Sequence, residues 1–321
     1  HGGDLEIRGT VISNNGAHMG GGVYIWQDSD TITITDTTIS GNTAWNRSGW
    51  SGKGGGIFAV ANNLTITHST ISGNQARYGY EGGEAAAGIH IDQGNVLIAN
   101  STVSGNFTNN PGMTGGIANR GMLMDINSTI TNNTSEGGVG GIKRVAGTVT
   151  LSNTIIANQA SGSNCSGTIT SNGYNLSSDA TCNLTATGDI PSGTANLGPL
   201  VDNGGKTLTH ALLAGSQAIN AGNNAICASA PINGVDQRGF SRLDGACDMG
   251  AFEVMTLHTL NVTTAGTGSG YVTSNPGKID CPDICTDQIG ENTVVTLTAT
   301  PDAGSTFTGW SGDCDANGQQ G

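Results

Sequence analysis

Residues Leu64 to Asn74 read LTITHSTISGN, and this stretch decides the fold because it recurs. Upstream lie LEIRGTVISNN (Leu5 to Asn15) and ITITDTTISGN (Ile32 to Asn42). Downstream lie VLIANSTVSGN (Val96 to Asn106), LMDINSTITNN (Leu123 to Asn133) and VTLSNTIIANQ (Val149 to Gln159). The apolar anchors Ile12, Ile39, Ile71, Val103, Ile130 and Ile156 are spaced by 27, 32, 32, 27 and 26 residues. A Gly-Gly-apolar signature (Ala-Gly-apolar in one copy) falls between anchors at Gly22-Val23, Gly56-Ile57, Gly88-Ile89, Gly116-Ile117 and Gly141-Ile142. Within LTIT the alternation has period two, the mark of a strand. The parity then breaks, so the chain must turn a corner. The corner column reads Gly9, Asp36, His68, Asn100, Asn127 and Asn153, residue types that tolerate left-handed backbone.

A unit of about 27 residues made of short strands cannot bury its apolar face alone. Stacking successive copies, each pairing with the next, gives a parallel β-helix, and six coils rise about 29 Å. The fold class is therefore all-β: a parallel β-helix followed by a small β-rich C-terminal module. Coils fill residues 1–160, a cysteine-bearing terminal part of the helix fills 161–254, and the module fills 255–321. The length variation at 43–53, 75–87 and 107–114 belongs to loops on one edge. A leucine-rich horseshoe is excluded by the absence of its Leu periodicity.

Composition agrees. Gly is 53 of 321 residues, charged residues are 11% and aromatics 4%, against roughly 25% charged in an average soluble chain. Glycine falls short of the every-third-residue rule of collagen. The net charge is −13 with only 11 Lys+Arg, and the closest approach to a basic cluster is Lys143-Arg144. A nucleic-acid partner needs clustered cations, so none is expected, and no run of about 18 apolar residues offers a membrane span.

Several columns are candidates for function. Asn15, Asn42, Asn74, Asn106, Asn133 and Gln159 stack as an amide ladder, read as structural. The column after the Gly-Gly signature, Tyr24, Phe58, His90, Ala118 and Lys143, is expected to point outward. Its rings Tyr24, Phe58 and His90 form a candidate glycan-binding face, with a cross-strand aromatic pairing as the plain alternative. Two charges break inward columns: Asp125, among Ile7, Ile34, Ile66, Ile98 and Leu151, and Arg144, among Ile25, Ala59 and Ile91. They are expected either to pair or line a polar pocket, or to be explained by a one-residue shift that turns Met122 and Met124 inward.

Tests for chemistry mostly fail. Lyases on such a fold require an acidic calcium cluster beside a Lys or Arg base, whereas Asp28, Asp30, Asp36, Glu81, Glu84 and Asp92 are scattered. Glycosidases need two carboxylates roughly 5 to 10 Å apart, and only Glu81 and Glu84 are close in sequence. The six histidines show no zinc spacing, so neither a metal nor another cofactor is expected. No serine stands out as a nucleophile, and the expectation is no enzyme.

Seven cysteines indicate an oxidising compartment. Sequential pairing, Cys165 with Cys182 and Cys227 with Cys247, is the simplest of three connectivities. The segments NLGPLVDNGGKTLTHALLAGSQAINAGN (196–223), DQRGFSR (236–242) and CDMGAFE (247–253) resemble the terminal region of secreted bacterial β-helix proteins of the choice-of-anchor, polymorphic-outer-membrane-like group. The STISGN and GGGI units resemble the same group's coils. This resemblance implies a right-handed parallel β-helix, export and attachment to the cell surface, and it carries no catalytic residue.

Residues 257–321, with GSGYVTSNPGKIDCPDIC and VVTLTATPDAGSTFTGWSGDC, resemble the bacterial repeat related to internalin-type B repeats. Val295 and Leu297 would face its core near Trp310. Cys281 and Cys285 can pair locally, leaving Cys314 over. Both ends read as truncations, at His1 within a coil and at Gly321 short of the repeat's last strands. Two functions follow as expectations. One is an exported structural or surface protein, an adhesin, matrix element or filament subunit, whose partners are copies of itself or other cell-surface components. The other is a carbohydrate-binding or polysaccharide-degrading β-helix that uses the Tyr24-Phe58-His90 face or the edge loops.

Overall fold

In the computed structural model the described residues are 4–45, 52–77, 84–110, 112–242, 245–255, 257–290 and 293–312, with backbone alone at 27–30. The repeat residues form stacked parallel strands. A seven-stranded parallel sheet takes one short strand from each coil: Val11–Ser13, Thr38–Ser40, Thr70–Ser72, Thr102–Ser104, Thr129–Thr131, Ile155–Ala157 and Leu176–Ser177. Its register pairs Ile12 with Ile39, Ile71, Val103, Ile130 and Ile156 in turn, so the anchors lie one above another. A fourteen-stranded parallel sheet carries the remaining tiers, with Val23, Ile57, Ile89, Ile117, Ile142 and Cys165 in register. The interior between them is a single apolar column of Ile, Val and Leu.

Two local requirements fix this geometry. Every corner residue has a left-handed backbone, with φ of 57° at Gly9, 52° at Asp36, 49° at His68, 43° at Asn100, 49° at Asn127 and 50° at Asn153. The Gly-Gly signature is set by close approach. A Cβ at Gly88 would lie 2.6 Å from the carbonyl oxygen of Gly116, and one at Gly116 would lie 2.5 Å from that of Gly141. Any side chain there would force neighbouring coils apart.

The two pattern-breaking charges do not meet. Asp125 takes its inward place between Ile98 and Leu151 and is fully buried. Arg144 is half-buried and donates from Nε to the carbonyl of Gly147 at 2.6 Å. The expected Asp125–Arg144 pair is therefore not formed, and the inward turn of Met122 and Met124 is overturned, because both are exposed. Asp125 instead accepts a hydrogen bond from the Thr154 hydroxyl at 3.0 Å. Thr154 belongs to a Ser/Thr column that supplies the acidic group with the polar neighbour a buried carboxyl needs.

Beyond the last coil the chain returns along the helix as a strap, residues 196–254. It reaches the second coil, where Lys206 donates to Asp36 at 2.8 Å, and the third, where Thr207 donates to the His68 carbonyl at 2.9 Å. It runs back to Asn153, whose Oδ1 accepts from the Asn223 amide at 2.9 Å, returns to Thr70 and Thr102 through Gln237, and ends against Asn153 again through Gly250. Disulfides join Cys165 to Cys182, Cys227 to Cys247 and Cys281 to Cys285.

The described residues from Leu257 to Pro301 form small antiparallel sheets. Leu257–Asn261 pairs with Thr286–Gly290, and Gly270–Asn275 pairs with Asp280–Cys281 and Thr296–Pro301. Leu297 and Trp310 pack on a core of Val262, Val272, Ile279 and Cys281. Lys278 Nζ meets Asp202 of the strap at 2.6 Å. Among the described residues no helix is long and apolar enough to cross a membrane.

Candidate functional site

The amide ladder is continuous. Asn74 Oδ1 accepts from both the backbone and the side-chain amide of Asn42 at 3.0 Å, and Asn106 Oδ1 does the same for Asn74 at 3.0 and 2.9 Å. Each Nδ2 also donates to a carbonyl of the preceding coil, Asn106 to Ile71 at 3.0 Å. The ladder starts at Asn15, passes Asn133 and closes at Gln159 Oε1, which accepts from the Asn133 backbone at 3.0 Å. Its members from Asn42 to Asn133 are buried, so their hydrogen-bonding capacity is spent inside the fold. A second ladder, absent from the sequence reading, runs beside it. The Thr37 amide donates to Ser69 Oγ at 3.1 Å, and the Ser69 amide to Ser101 Oγ at 3.2 Å. Its signal was the Ser or Thr that follows each corner residue.

The rings Tyr24, Phe58 and His90 form one stack, with centroids 5.4 Å apart at each step and planes within 8°. Only Tyr24 reaches solvent, at 48% exposure; Phe58 is at 3% and His90 at 0%. The column is expected to point outward throughout; Phe58 is instead covered on both ring faces by its stacked neighbours Tyr24 and His90. Below the rings, Ala118 is buried and Lys143 Nζ donates to the Gly112 carbonyl at 3.0 Å. On the strand of Tyr24 the structure adds Trp26, at 62% exposure, with its ring parallel to that of Tyr24 within 7° and 6.4 Å away.

His90 Nε2 lies 3.5 Å from Asp92 Oδ1. That is at the long limit of a hydrogen bond, and the ring nitrogens have no closer side-chain partner. Burial pulls the imidazole below its ordinary value, against the opposing pull of Asp92, while the neighbouring ring holds Asp92 below the usual carboxylate range. Arg120 bridges Asp92 and Glu84, pairing directly with the Glu84 carboxylate. Glu84, one of the two loop glutamates, is thus neutralised by an arginine, and Glu81 lies outside the described residues. The side chains of Asp28 and Asp30 and the whole of Cys314 also lie outside them. Asp36 is taken up by Lys206. Among the described residues no three acidic, His or Cys side chains converge to hold a metal ion.

The motifs DQRGFSR and CDMGAFE meet in a buried knot. Arg242 Nη1 donates to Glu253 Oε2 at 2.9 Å and Nη2 to the Gly250 carbonyl at 2.7 Å and to Asn100 Oδ1 at 3.2 Å. Arg238 pairs with Asp236 at 2.7 Å and lies over the Phe252 ring at 3.6 Å. Burial pushes the Glu253 carboxyl upward, opposed by the Arg242 guanidinium and by the Asp248 amide, which donates to it at 2.9 Å. His210 Nε2 and Ser104 Oγ are 2.8 Å apart, the spacing of a nucleophile and its base. Both are buried between strap and sheet, with His210 Nδ1 against the Gly198 carbonyl at 2.7 Å, so the pair fastens two layers together.

A family described as divergent InlB B-repeat domain matches residues 259–320. No curated protein and no solved structure matches the chain.

Proposed function

We propose that the chain belongs to an exported surface protein in which the β-helix is a non-catalytic rigid body that takes part in adhesion or an extracellular matrix. The observation that carries this reading is the joining of a B-repeat-like module to a solenoid closed by disulfides. B-repeat similarity and three disulfides indicate an extracellular or surface setting, where such bonds persist. The resemblance of 196–253 to the choice-of-anchor, polymorphic-outer-membrane-like group supports attachment to the cell surface. The absence of catalysis is part of the proposal: among the described residues, Glu84 and Asp92 pair with Arg120, Asp36 and His68 serve as corners, and His90 is buried in a ring stack.

Surface proteolysis of the native producing cells, followed by detection of coil peptides, tests location; coil peptides found only inside the cell would overturn it. A panel of polysaccharide lyase and hydrolase substrates tests the non-catalytic claim, and turnover abolished by Glu84→Gln would overturn that. Assembly of several copies into filaments is a variant of the same reading, read out by electron microscopy of native material.

A further inference from the structure

We infer that the strap hairpin of Leu197–Val201 and Thr209–Leu212 is a flap that mild acid lifts from the coils, with the His210 imidazole as its trigger. This goes beyond the surface-protein reading and does not depend on it. The hairpin lies over the outer face of the seven-stranded sheet. Thr70 donates to the Leu208 carbonyl at 2.6 Å, and His210 meets Ser104 one coil further on. Leu212 packs with Ile155 and Ala157. The hydroxyl column Ser72, Ser104 and Thr131 is buried on this face, and the Thr131 hydroxyl has no hydrogen-bond partner. Opening gives that hydroxyl water, which relieves the cost of burying it unpaired.

Geometry fixes the state of the His210 ring. A carbonyl can only accept, so the 2.7 Å contact of Nδ1 with Gly198 places a proton on Nδ1. In the neutral ring Nε2 is then an acceptor, and it takes the Ser104 hydroxyl at 2.8 Å. A second proton on Nε2 would set donor against donor until the hydroxyl turned, and it would bury a charge in this layer. Among the described residues nothing offsets that charge. The strand across the hairpin, LGPLV, carries no ionisable group, and neither do the sheet strands Thr70–Ser72, Thr102–Ser104 and Thr129–Thr131. The hairpin's own charges, Asp202 and Lys206, stand at its tip on Lys278 and Asp36. Burial accordingly holds the imidazole below its ordinary 6.5, opposed by the Gly198 carbonyl.

Once lifted, the ring is in water and takes its proton at the ordinary value. Each pH unit below 6.5 therefore favours the open flap by up to about tenfold. His68, under the hairpin's tip, faces Asp36 and Asp236 as well as Arg242 and Lys206, so its charge is offset in part and His210 is the stronger trigger. Asp202, held low by Lys278, keeps its charge at pH 5. The knot at 236–253 contains no histidine. Its Glu253, raised to about 8 by burial, is held more firmly as the pH falls. Acid thus lifts the hairpin and leaves the knot closed.

The test is hydrogen–deuterium exchange of the whole chain at pH 7.5, 6.0 and 5.0, read on peptides and corrected for the intrinsic rate. From pH 7.5 to 5.0, protection of residues 197–213 should fall by up to about thirtyfold, while peptides of the coils and the knot keep theirs. His210→Gln, which keeps a neutral donor and acceptor, should flatten that fall. His68→Asn, which matches the corner residue of the next coil, should leave it in place. A second measurement needs no variant: NMR of nitrogen-15-labelled histidines should show one imidazole held as the neutral Nδ1–H tautomer at pH 6. The inference is overturned if hairpin protection does not change with pH, or if it falls in His210→Gln as in the parent. Loss of protection by the whole chain together, or no imidazole in that neutral tautomer at pH 6, overturns it equally.

Discussion

Asp125 is the residue whose chemistry departs furthest from its surroundings. Burial raises its carboxyl to about 7, against the hydrogen bonds from Thr154 and Ser128. A carboxyl raised on folding contributes stability that is fully present below its unfolded value of 3.8 and lost as the pH rises through about 7. Asp125→Leu, which matches Leu151 in the next coil, should therefore leave stability nearly unchanged at pH 4. It should add on the order of 4 kcal/mol at pH 8, measured by denaturant unfolding at both values. His68, His90 and His210 act in the opposite sense. Burial lowers each below its ordinary 6.5, so their contribution is intact above that value and erodes as the pH falls below it. The break at Asp125 was legible because five aligned coils put aliphatic residues in its place. Its partners belong to the column of Ser and Thr that follows each corner residue, but nothing in that column marks which hydroxyl turns to a carboxyl in the neighbouring layer.

Among the elements, the ladder and the strap lend themselves to opposite kinds of reading. Each ladder amide answers the same need in every coil, so the repeat exposes it. Asn106→Ala would strand the buried Asn74 amide and the Ile71 carbonyl, and it should cost about 2–4 kcal/mol. Asn15→Ala, which removes an exposed side chain that donates to Asn42, should cost about 0.5 kcal/mol. Thermal unfolding of both variants checks the contrast; equal losses would show that the ladder does not work as a chain. The strap makes each contact once, between residues as far apart as Thr70 and Leu208, and no periodicity reveals where a one-off partner sits. Its motifs were visible as a resemblance, but their meeting in a knot was not. Arg242→Met leaves Glu253 buried without its cation and should cost about 3–5 kcal/mol, detected as faster proteolysis within 196–254.

At the scale of the whole molecule, corner residues chosen for their backbone also serve as fastening points. Asp36, His68, Asn100, Asn127 and Asn153 each bond the strap, so one column bends the coils and receives the returning chain. Solenoids ordinarily behave as one-dimensional arrays in which each repeat knows only its neighbours. Here the strap ties the second coil directly to the sixth. A surface protein is pulled by flow, and tension between the first coil and the C-terminal module passes through the strap before it reaches the last coil. The coils are then loaded together and cannot peel away one at a time. Pulled in a force spectrometer, residues 5–254 should give way in a single long extension where an unstrapped solenoid yields a staircase. Reducing Cys227–Cys247 should turn that rupture back into steps.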